Sequence, residues 1–328
     1  MKARPVISKA AWAHTPERSN RFMLRVMTWI SLRLGRSAGR VVLHLIAGYF
    51  LLFAAASRRA SSAYLKRALG RSPRWRDLYR HFFTFAATIH DRIYLLNRRF
   101  ELFDIHVHGE DALRRLLSGG NGVFLMGAHL GSFEVIRALG RKNPDLRVAM
   151  VMHEGNAQKI NTMLAAINPA AVQDIIALGR IDSMLKVAEY LDQGGAVGIL
   201  ADRTPGDETV CPVQILGANA NLPSGPFRMA ALLRRPVVFM TGLYLGGNRY
   251  AIHFDALADF SGVARTERAE RDTAIEVAIT RYAALLDQYC RMAPYNWFNF
   301  FDFWQHAAAA TPANSATESK SVTHSQSS

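Results

Sequence analysis

Short apolar runs alternate with amphipathic segments over the second two-thirds of the chain, and this alternation restricts the fold more than any other feature. The runs predicted to be strands are residues 104–108, 122–127, 147–152, 172–178, 196–201, 210–216, 236–243 and 249–254. The segments predicted to be helices are residues 110–117, 131–139, 156–167, 181–192, 225–233 and 266–292. Runs such as GVFLMG at 122–127 carry no polar side chain, which is typical of strands buried on both faces. The pattern therefore predicts an α/β domain with a mostly parallel central sheet flanked by helices.

The first 100 residues differ from the rest in charge. They hold 20 Lys and Arg against three acidic residues, a balance of +17, whereas residues 101–328 have a balance of −3. Aromatic and aliphatic residues recur at mostly helical spacing over residues 75–97, which predicts a packed helix there. The chain is thus expected to have a basic, apolar helical region at 1–100, an α/β domain at 101–305 and a disordered tail rich in Ala, Ser and Thr at 306–328.

An uncharged stretch, VVLHLIAGYFLLFAAA, occupies residues 41–56 between basic flanks. As a helix it would be roughly 24 Å long, shorter than a hydrocarbon core of ~30 Å. Because both flanks are basic, the positive-inside rule favours neither direction of crossing. The simplest interpretation is a membrane-associating segment that dips into the bilayer or lies at its interface, with both ends on the cytoplasmic face. A single full span and a buried core helix are the alternatives.

Several other classes of protein and site are disfavoured by the sequence. Two cysteines, Cys211 and Cys290, are too few for a disulfide scaffold or a Cys-based zinc site and fit a reducing compartment. His106 and His108 share a strand face, but no further ligand set accompanies them, so no metal is expected. Nucleic-acid binding is disfavoured because the basic residues bracket an apolar run and no reader motif is present. The letters GRSAG at 35–39 match a nucleophile elbow, but they follow no strand.

Polar residues follow the predicted strand 122–127 in the segment GAHLGSFE, residues 127–134. His129 stands at the carboxyl end of the strand, and Glu134 lies five positions on in the next helix. Ligands of open α/β sheets usually bind beyond the carboxyl ends of the strands. Glu134 is expected to accept a hydrogen bond from one imidazole nitrogen of His129, leaving the other nitrogen as a base. A purely structural histidine is the alternative on this spacing.

Three further loops with polar groups are predicted at the same edge of the sheet. Asp202 and Arg203 follow the strand 196–201, and His153 follows the strand 147–152 as a possible substrate contact. The turn NLPSGPF at 221–227 opens a helix, where Ser224 is a candidate cap and the free N–H groups near Gly225 would favour an anion. A local ion pair at 202–203 and simple helix capping at 224 are the alternatives.

With these blocks in this order, the chain resembles the bacterial lipid A biosynthesis acyltransferases, the lauroyl and myristoyl transferases of the lysophospholipid acyltransferase superfamily. The resemblance rests on His129 and Glu134 in H-x4-E spacing, on Asp202–Arg203, and on the turn 222–227 before the helix and RPVVFM. It extends over roughly residues 25–305.

The resemblance implies an acyltransferase of lipid or glycolipid biosynthesis that needs no cofactor and no covalent Ser or Cys intermediate. His129 would remove a proton from a hydroxyl or amine of a lipid acceptor as it attacks an acyl thioester on acyl carrier protein or CoA, and Glu134 would orient His129. Asp202, Arg203, Ser224, Gly225 and His153 would bind substrate. The expected location is the cytoplasmic face of the bacterial inner membrane.

One block departs from the family pattern. Members commonly end with a Trp-containing stretch followed by basic residues, whereas residues 295–304 read YNWFNFFDFW, with no Arg or Lys. This departure puts a phosphorylated lipid A precursor in doubt as the acceptor, and a less anionic amphiphile such as a lysophospholipid, an amino-acid lipid or a polyene-type lipid is the alternative. The aromatic residues are expected to line an acyl groove or to meet the bilayer interface, with core packing as an equal alternative. The alternative function is a non-catalytic membrane-binding protein that retains the acyltransferase fold.

Overall fold

The computed structural model describes residues 21–142, 147–168, 175–179, 182–203, 209–262 and 268–304. The predicted tail at 306–328 lies outside the described residues. The helices are α1 (Arg21–Phe53), α2 (Ala55–Leu69), α3 (Trp75–Leu96), α4 (Glu110–Ser118), α5 (Phe133–Lys142), α6 (Glu154–Ile167), α7 (Ser183–Asp192), α8 (Gly225–Leu232) and α9 (Arg268–Met292). The strands are β1 (Asp104–His108), β2 (Val123–Gly127), β3 (Val148–His153), β4 (Ile175–Leu178), β5 (Ala196–Leu200), β6 (Val210–Ile215), β7 (Ala218–Pro223), β8 (Pro236–Gly246) and β9 (Arg249–Asp259).

Seven strands form one sheet in the order β1-β9-β8-β2-β5-β3-β4. All neighbouring pairs are parallel except the long hairpin β8–β9. The expected mixed α/β fold with a mostly parallel sheet flanked by helices is therefore confirmed. The segment 210–216 was expected simply as a strand of this series, but β6 pairs with β7 in a separate antiparallel hairpin.

The central strand β2 sends alternate side chains into two hydrophobic cores, as the pleat of a strand requires. Phe124 and Met126 belong to one core, which includes residues of α2, α8 and α9. Val123 and Leu125 belong to the other, which includes residues of α3 and α5. All four side chains are fully buried. The N-terminal helices thus contribute to the same cores as the sheet.

Helix α1 is one long apolar helix with a kink at Gly35, whose φ of 83° is not helical. The GRSAG letters lie inside this helix, so they are not a strand-to-helix elbow. One side of α1 packs on α3, and Leu43, Ala47 and Leu51 are buried there at four-residue spacing. The other side leaves large apolar side chains exposed, namely Trp29, Leu32, Leu34, Val41, Leu45, Tyr49, Phe50, Leu52 and Phe53.

The loop after β2 is held tightly against β8. The N–H of Ser132 donates to the carbonyl of Gly242 at 2.8 Å, and the hydroxyl of Thr241 donates to the carbonyl of Leu130 at 2.9 Å. Gly131 has a φ of 75°, and a Cβ on it would overlap the carbonyl oxygen of Gly242. Only glycine permits both this left-handed conformation and this close approach.

We predict that Gly131→Ala destabilises the protein more than Gly217→Ala. Gly217 has a similar φ of 73°, but nothing lies within 4 Å of its added Cβ. Gly217→Ala should therefore cost only the ~1–2 kcal/mol of the left-handed conformation. Gly131→Ala should cost about 1–3 kcal/mol more, because the overlap forces the loop to move. Unfolding by denaturant measures both values, and equal losses would contradict the close packing of this loop.

Candidate functional site

His129 and Asp202 are brought together by the register of two neighbouring parallel strands. Gly127 at the end of β2 pairs with Leu200 at the end of β5. His129 lies two residues after Gly127, and Asp202 lies two residues after Leu200. His129 Nδ1 lies 2.8 Å from Asp202 Oδ1, and the backbone N–H of His129 donates to Asp202 Oδ2 at 3.1 Å. Because a carboxylate accepts, Nδ1 carries the proton, and Nε2 is left as the basic nitrogen.

Asp202 is buried, with 1% of its side chain exposed, and it has three hydrogen-bond donors. The third donor is Trp297 Nε1, 3.0 Å from Oδ2. Burial acts to raise the pKa of Asp202, but the interactions with His129, Arg203 and Trp297 outweigh it and hold the pKa well below the usual range of a carboxyl group. Asp202 is therefore an ionised carboxylate in the interior.

His129 has a different environment from its partner. Its side chain is 36% exposed, so a reacting group can reach the imidazole. Burial of part of the residue lowers its pKa below the ordinary value, the positive charge of Arg203 lowers it further, and Asp202 acts in the opposite direction. The imidazole is therefore neutral at neutral pH, which is the form required of a general base.

Residues 295–304, which we call the aromatic segment, lie along the loop that carries His129. The N–H of Phe298 donates to the carbonyl of His129 at 2.8 Å, and the N–H of Gly131 donates to the carbonyl of Asn296 at 2.8 Å. Trp297 between them is fully buried. The structure places Trp297 on the carboxylate of the site.

A second histidine fixes the backbone of Trp297. His81 Nε2 is 2.9 Å from the carbonyl oxygen of Trp297, and His81 Nδ1 is 2.7 Å from the hydroxyl of Ser61. Burial lowers the pKa of His81 to about 4, so the ring is neutral, donates from Nε2 and accepts at Nδ1. Neither Trp297 nor His81 was predicted as a site residue. The only sequence signal was the cluster of tryptophan and phenylalanine near the C-terminus.

The expected hydrogen bond between His129 and Glu134 is replaced in the structure by the bond to Asp202. Glu134 lies in the first turn of α5 and is 6% exposed. Its Oε2 accepts from Arg137 at 3.0 Å, and its Oε1 lies 3.8 Å from Arg92 Nε. The predicted carboxylate partner of the imidazole was wrong because a residue close in sequence was favoured over one that follows a neighbouring strand.

Arg203 lies next to His129 and Asp202, but it is not a simple surface ion-pair residue. One of its terminal nitrogens donates to the carbonyl of Phe298 at 2.8 Å, and its guanidinium lies 5.1 Å from the ring centre of Phe301. Burial lowers its pKa, while Asp202 acts to raise it. Among the described residues its Nε has no hydrogen-bond partner. The residue therefore places a positive charge beside the carboxylate and keeps one donor unused.

The remaining predicted residues belong to two other elements. Ser224 precedes α8, but its hydroxyl donates to the carbonyl of Thr209 at 3.0 Å and does not cap the helix, contrary to expectation. Gly225 begins α8. His153 is exposed at the end of β3, which neighbours β5 in the sheet. In the described part of the chain, no group of three or more His, Cys, Asp or Glu side chains is arranged to hold a metal ion.

Comparison with known proteins identifies one family. The model of the family described as bacterial lipid A biosynthesis acyltransferase matches residues 13–306, which is most of the chain. A search of curated proteins found no match.

Proposed function

Because the chain belongs to the bacterial lipid A biosynthesis acyltransferase family, an acyltransferase family, we propose that it transfers a fatty acyl chain from an acyl thioester to a lipid acceptor. The donor in this proposal is acyl carrier protein or coenzyme A, and the acceptor group is a hydroxyl or an amine. The observation that carries the chemical part is the hydrogen bond from His129 Nδ1 to the buried carboxylate of Asp202.

In the proposed reaction Nε2 of His129 takes the proton of the acceptor hydroxyl or amine. At the same time the oxygen or nitrogen of the acceptor attacks the thioester carbonyl. The tetrahedral intermediate then collapses, the new C–O or C–N bond remains, and the C–S bond breaks. The proton passes from the imidazolium to the leaving thiolate. Asp202 holds the tautomer and stabilises the imidazolium, as a carboxylate does in hydrolytic triads.

The other predicted residues have supporting roles in this proposal. Arg203 places its positive charge where negative charge develops on the carbonyl oxygen or where a substrate phosphate binds. The start of α8 at Ser224–Gly225 and the exposed ring of His153 are proposed substrate contacts. We propose that Glu134 acts indirectly: its ion pair with Arg137 anchors the first turn of α5 just after the loop that carries His129.

We predict that Asp202→Asn lowers the rate of acyl transfer far more than Glu134→Gln. The asparagine carries no negative charge, so it binds Nδ1 more weakly and does not stabilise the imidazolium. We expect kcat to fall by ~10²–10⁴-fold in Asp202→Asn and by a similar factor in His129→Ala. Glu134→Gln should retain activity within about tenfold, because its partner is Arg137. The assay follows transfer of a radiolabelled acyl chain from acyl carrier protein or CoA to total bacterial lipid.

Thermal melting of each variant separates lost chemistry from lost folding. Glu134→Gln serves as the matched control, since it removes one buried carboxylate charge at the same edge of the sheet. A large loss in Glu134→Gln with near-normal rates in folded Asp202→Asn would reverse the two roles. Unchanged transfer in His129→Ala would refute the proposed base.

We also propose that the protein is attached to the cytoplasmic face of the bacterial inner membrane through α1. Within the described residues one helix segment, Thr28–Phe53, is long and apolar enough to cross a membrane. Packing of Leu43, Ala47 and Leu51 on the rest of the protein favours a helix that lies on the membrane instead, with its exposed apolar side in the lipid. Basic residues on both flanks suit an anionic surface.

We predict that Leu45→Glu combined with Phe53→Glu lowers binding to anionic phospholipid vesicles at least tenfold. These side chains are 73% and 71% exposed, and burial of each in lipid stabilises the bound state by about 1.5–3 kcal/mol. The control, Leu185→Glu with Val277→Glu, changes two residues that are 67% and 63% exposed on α7 and α9. Vesicle co-sedimentation measures the bound fraction. Equal losses in both double variants, or none, would contradict the orientation.

A further inference from the structure

A cavity of about 380 Å³ lies beside the proposed site. It is enclosed by α1, α3, the end of β8 and the beginning of the aromatic segment. The residues that line it are Arg40, Arg80, Phe83, Thr84, Tyr244, Leu245, Gly246, Gly247, Met292, Ala293, Pro294, Tyr295 and Asn296. Two of these are arginines and none is acidic, so the cavity carries positive charge without an internal counter-charge.

Arg40 is held in place by neutral groups. Its Nη2 donates to the hydroxyl of Tyr244 at 2.9 Å, its Nη1 donates to the carbonyl of Gly247 at 3.2 Å, and its guanidinium lies 5.4 Å from the ring centre of Phe83. Arg36, one turn earlier, is neutralised by Asp91 at 2.7 Å. No carboxylate partner of Arg40 occurs among the described residues, so its charge is fixed in position and not compensated.

Arg80 brings the second positive charge from α3. Its guanidinium lies 4.6 Å from the ring centre of Tyr295, which orients the side chain across the aromatic ring. Arginines that are positioned in this way by rings and carbonyls are suited to bind phosphate, because the planar guanidinium donates two parallel hydrogen bonds.

The cavity adjoins His129 through a short stretch of backbone. Asn296 lines the cavity, and its side chain bonds to both the N–H and the carbonyl of Tyr244. Two residues later, the N–H of Phe298 bonds to the carbonyl of His129. The backbone of residues 296–298 therefore joins the wall of the cavity to the loop that carries His129.

The cavity also borders the apolar side of α1. Val41 follows Arg40 directly in α1 and is 66% exposed, and Leu245, which lines the cavity, is 45% exposed. A ligand that fills the cavity with an anionic group therefore has an apolar surface beside it for hydrocarbon chains. This combination fits an amphiphile better than a soluble anion.

We propose that Arg40 and Arg80 form the site that binds the phosphate group of the lipid acyl acceptor, an inference that rests on the proposed function. The lack of Arg and Lys in the aromatic segment made a phosphorylated acceptor doubtful at the level of sequence. The structure provides the missing cations from α1 and α3, which lie far away along the chain. Phosphate is also present in the donor carrier and as a free ion, so the test separates these sources.

Direct binding tests the site without any assay of catalysis. The probes are dioctanoyl phosphatidic acid, dioctanoylglycerol and inorganic phosphate, each titrated calorimetrically into the full chain in detergent. Wild type should bind phosphatidic acid at least tenfold more tightly than dioctanoylglycerol, and Arg40→Gln with Arg80→Gln should abolish this preference. The control, Arg76→Gln with Arg281→Gln, removes two exposed arginines that do not line the cavity. This control variant should keep the preference for phosphatidic acid.

Equal affinity of wild type for the two lipids would overturn the proposal. Binding of inorganic phosphate as tight as that of phosphatidic acid would show a free-anion site and would also overturn it.

In the acyl-transfer assay, the double Gln variant should raise KM for a phosphorylated acceptor at least tenfold while KM for the donor and kcat change little. A rise confined to the donor KM would assign the cavity to the carrier instead. Absence of transfer by wild type with intact lipid selectivity would reject the proposed function and leave the phosphate site standing.

Discussion

The buried carboxylate of Asp202 is the group on which the arrangement of the site depends. A charge in the interior costs several kcal/mol unless hydrogen bonds and opposite charge compensate it. Here the compensation comes from His129, Arg203 and Trp297. The hydrogen bonds restrict His129 and Trp297 each to one position. The same bonds that make the buried charge tolerable therefore also orient the imidazole, so stability of the fold and alignment of the base have one origin.

The two residues that donate to Asp202, His129 and Trp297, come from distant parts of the chain, which makes the site a product of the whole fold. His129 is 73 residues from Asp202, and Trp297 is 95 residues from it. His81 then ties Trp297 to α3 across 216 residues. A helix of the basic N-terminal region thus supports the aromatic segment, and the aromatic segment supports the carboxylate. The N-terminal helices and the proposed reaction centre belong to one packed unit.

The sheet and the strand ends that carry polar residues could be predicted from local sequence pattern, whereas the contacts between distant segments could not. Apolar runs of strand length showed the parallel sheet, and polar residues at strand ends placed His129 and Asp202 at one edge. The sequence did not show which carboxylate contacts the imidazole, because that choice depends on register: Gly127 opposite Leu200 brings Asp202 to His129. The contact of Trp297 with Asp202, and the position of Arg40 and Arg80 at one cavity, could not be predicted for a similar reason, because only tertiary packing brings these segments together.

The account is tested most directly by comparing the pH dependence of kcat/KM with the titration of His129 followed by NMR in the same protein. If the imidazole is the base, kcat/KM falls as pH decreases through the pKa of His129, and the two pKa values coincide below the ordinary histidine value of about 6.5. A rate that stays constant across the pH range in which His129 becomes protonated would contradict the central claim.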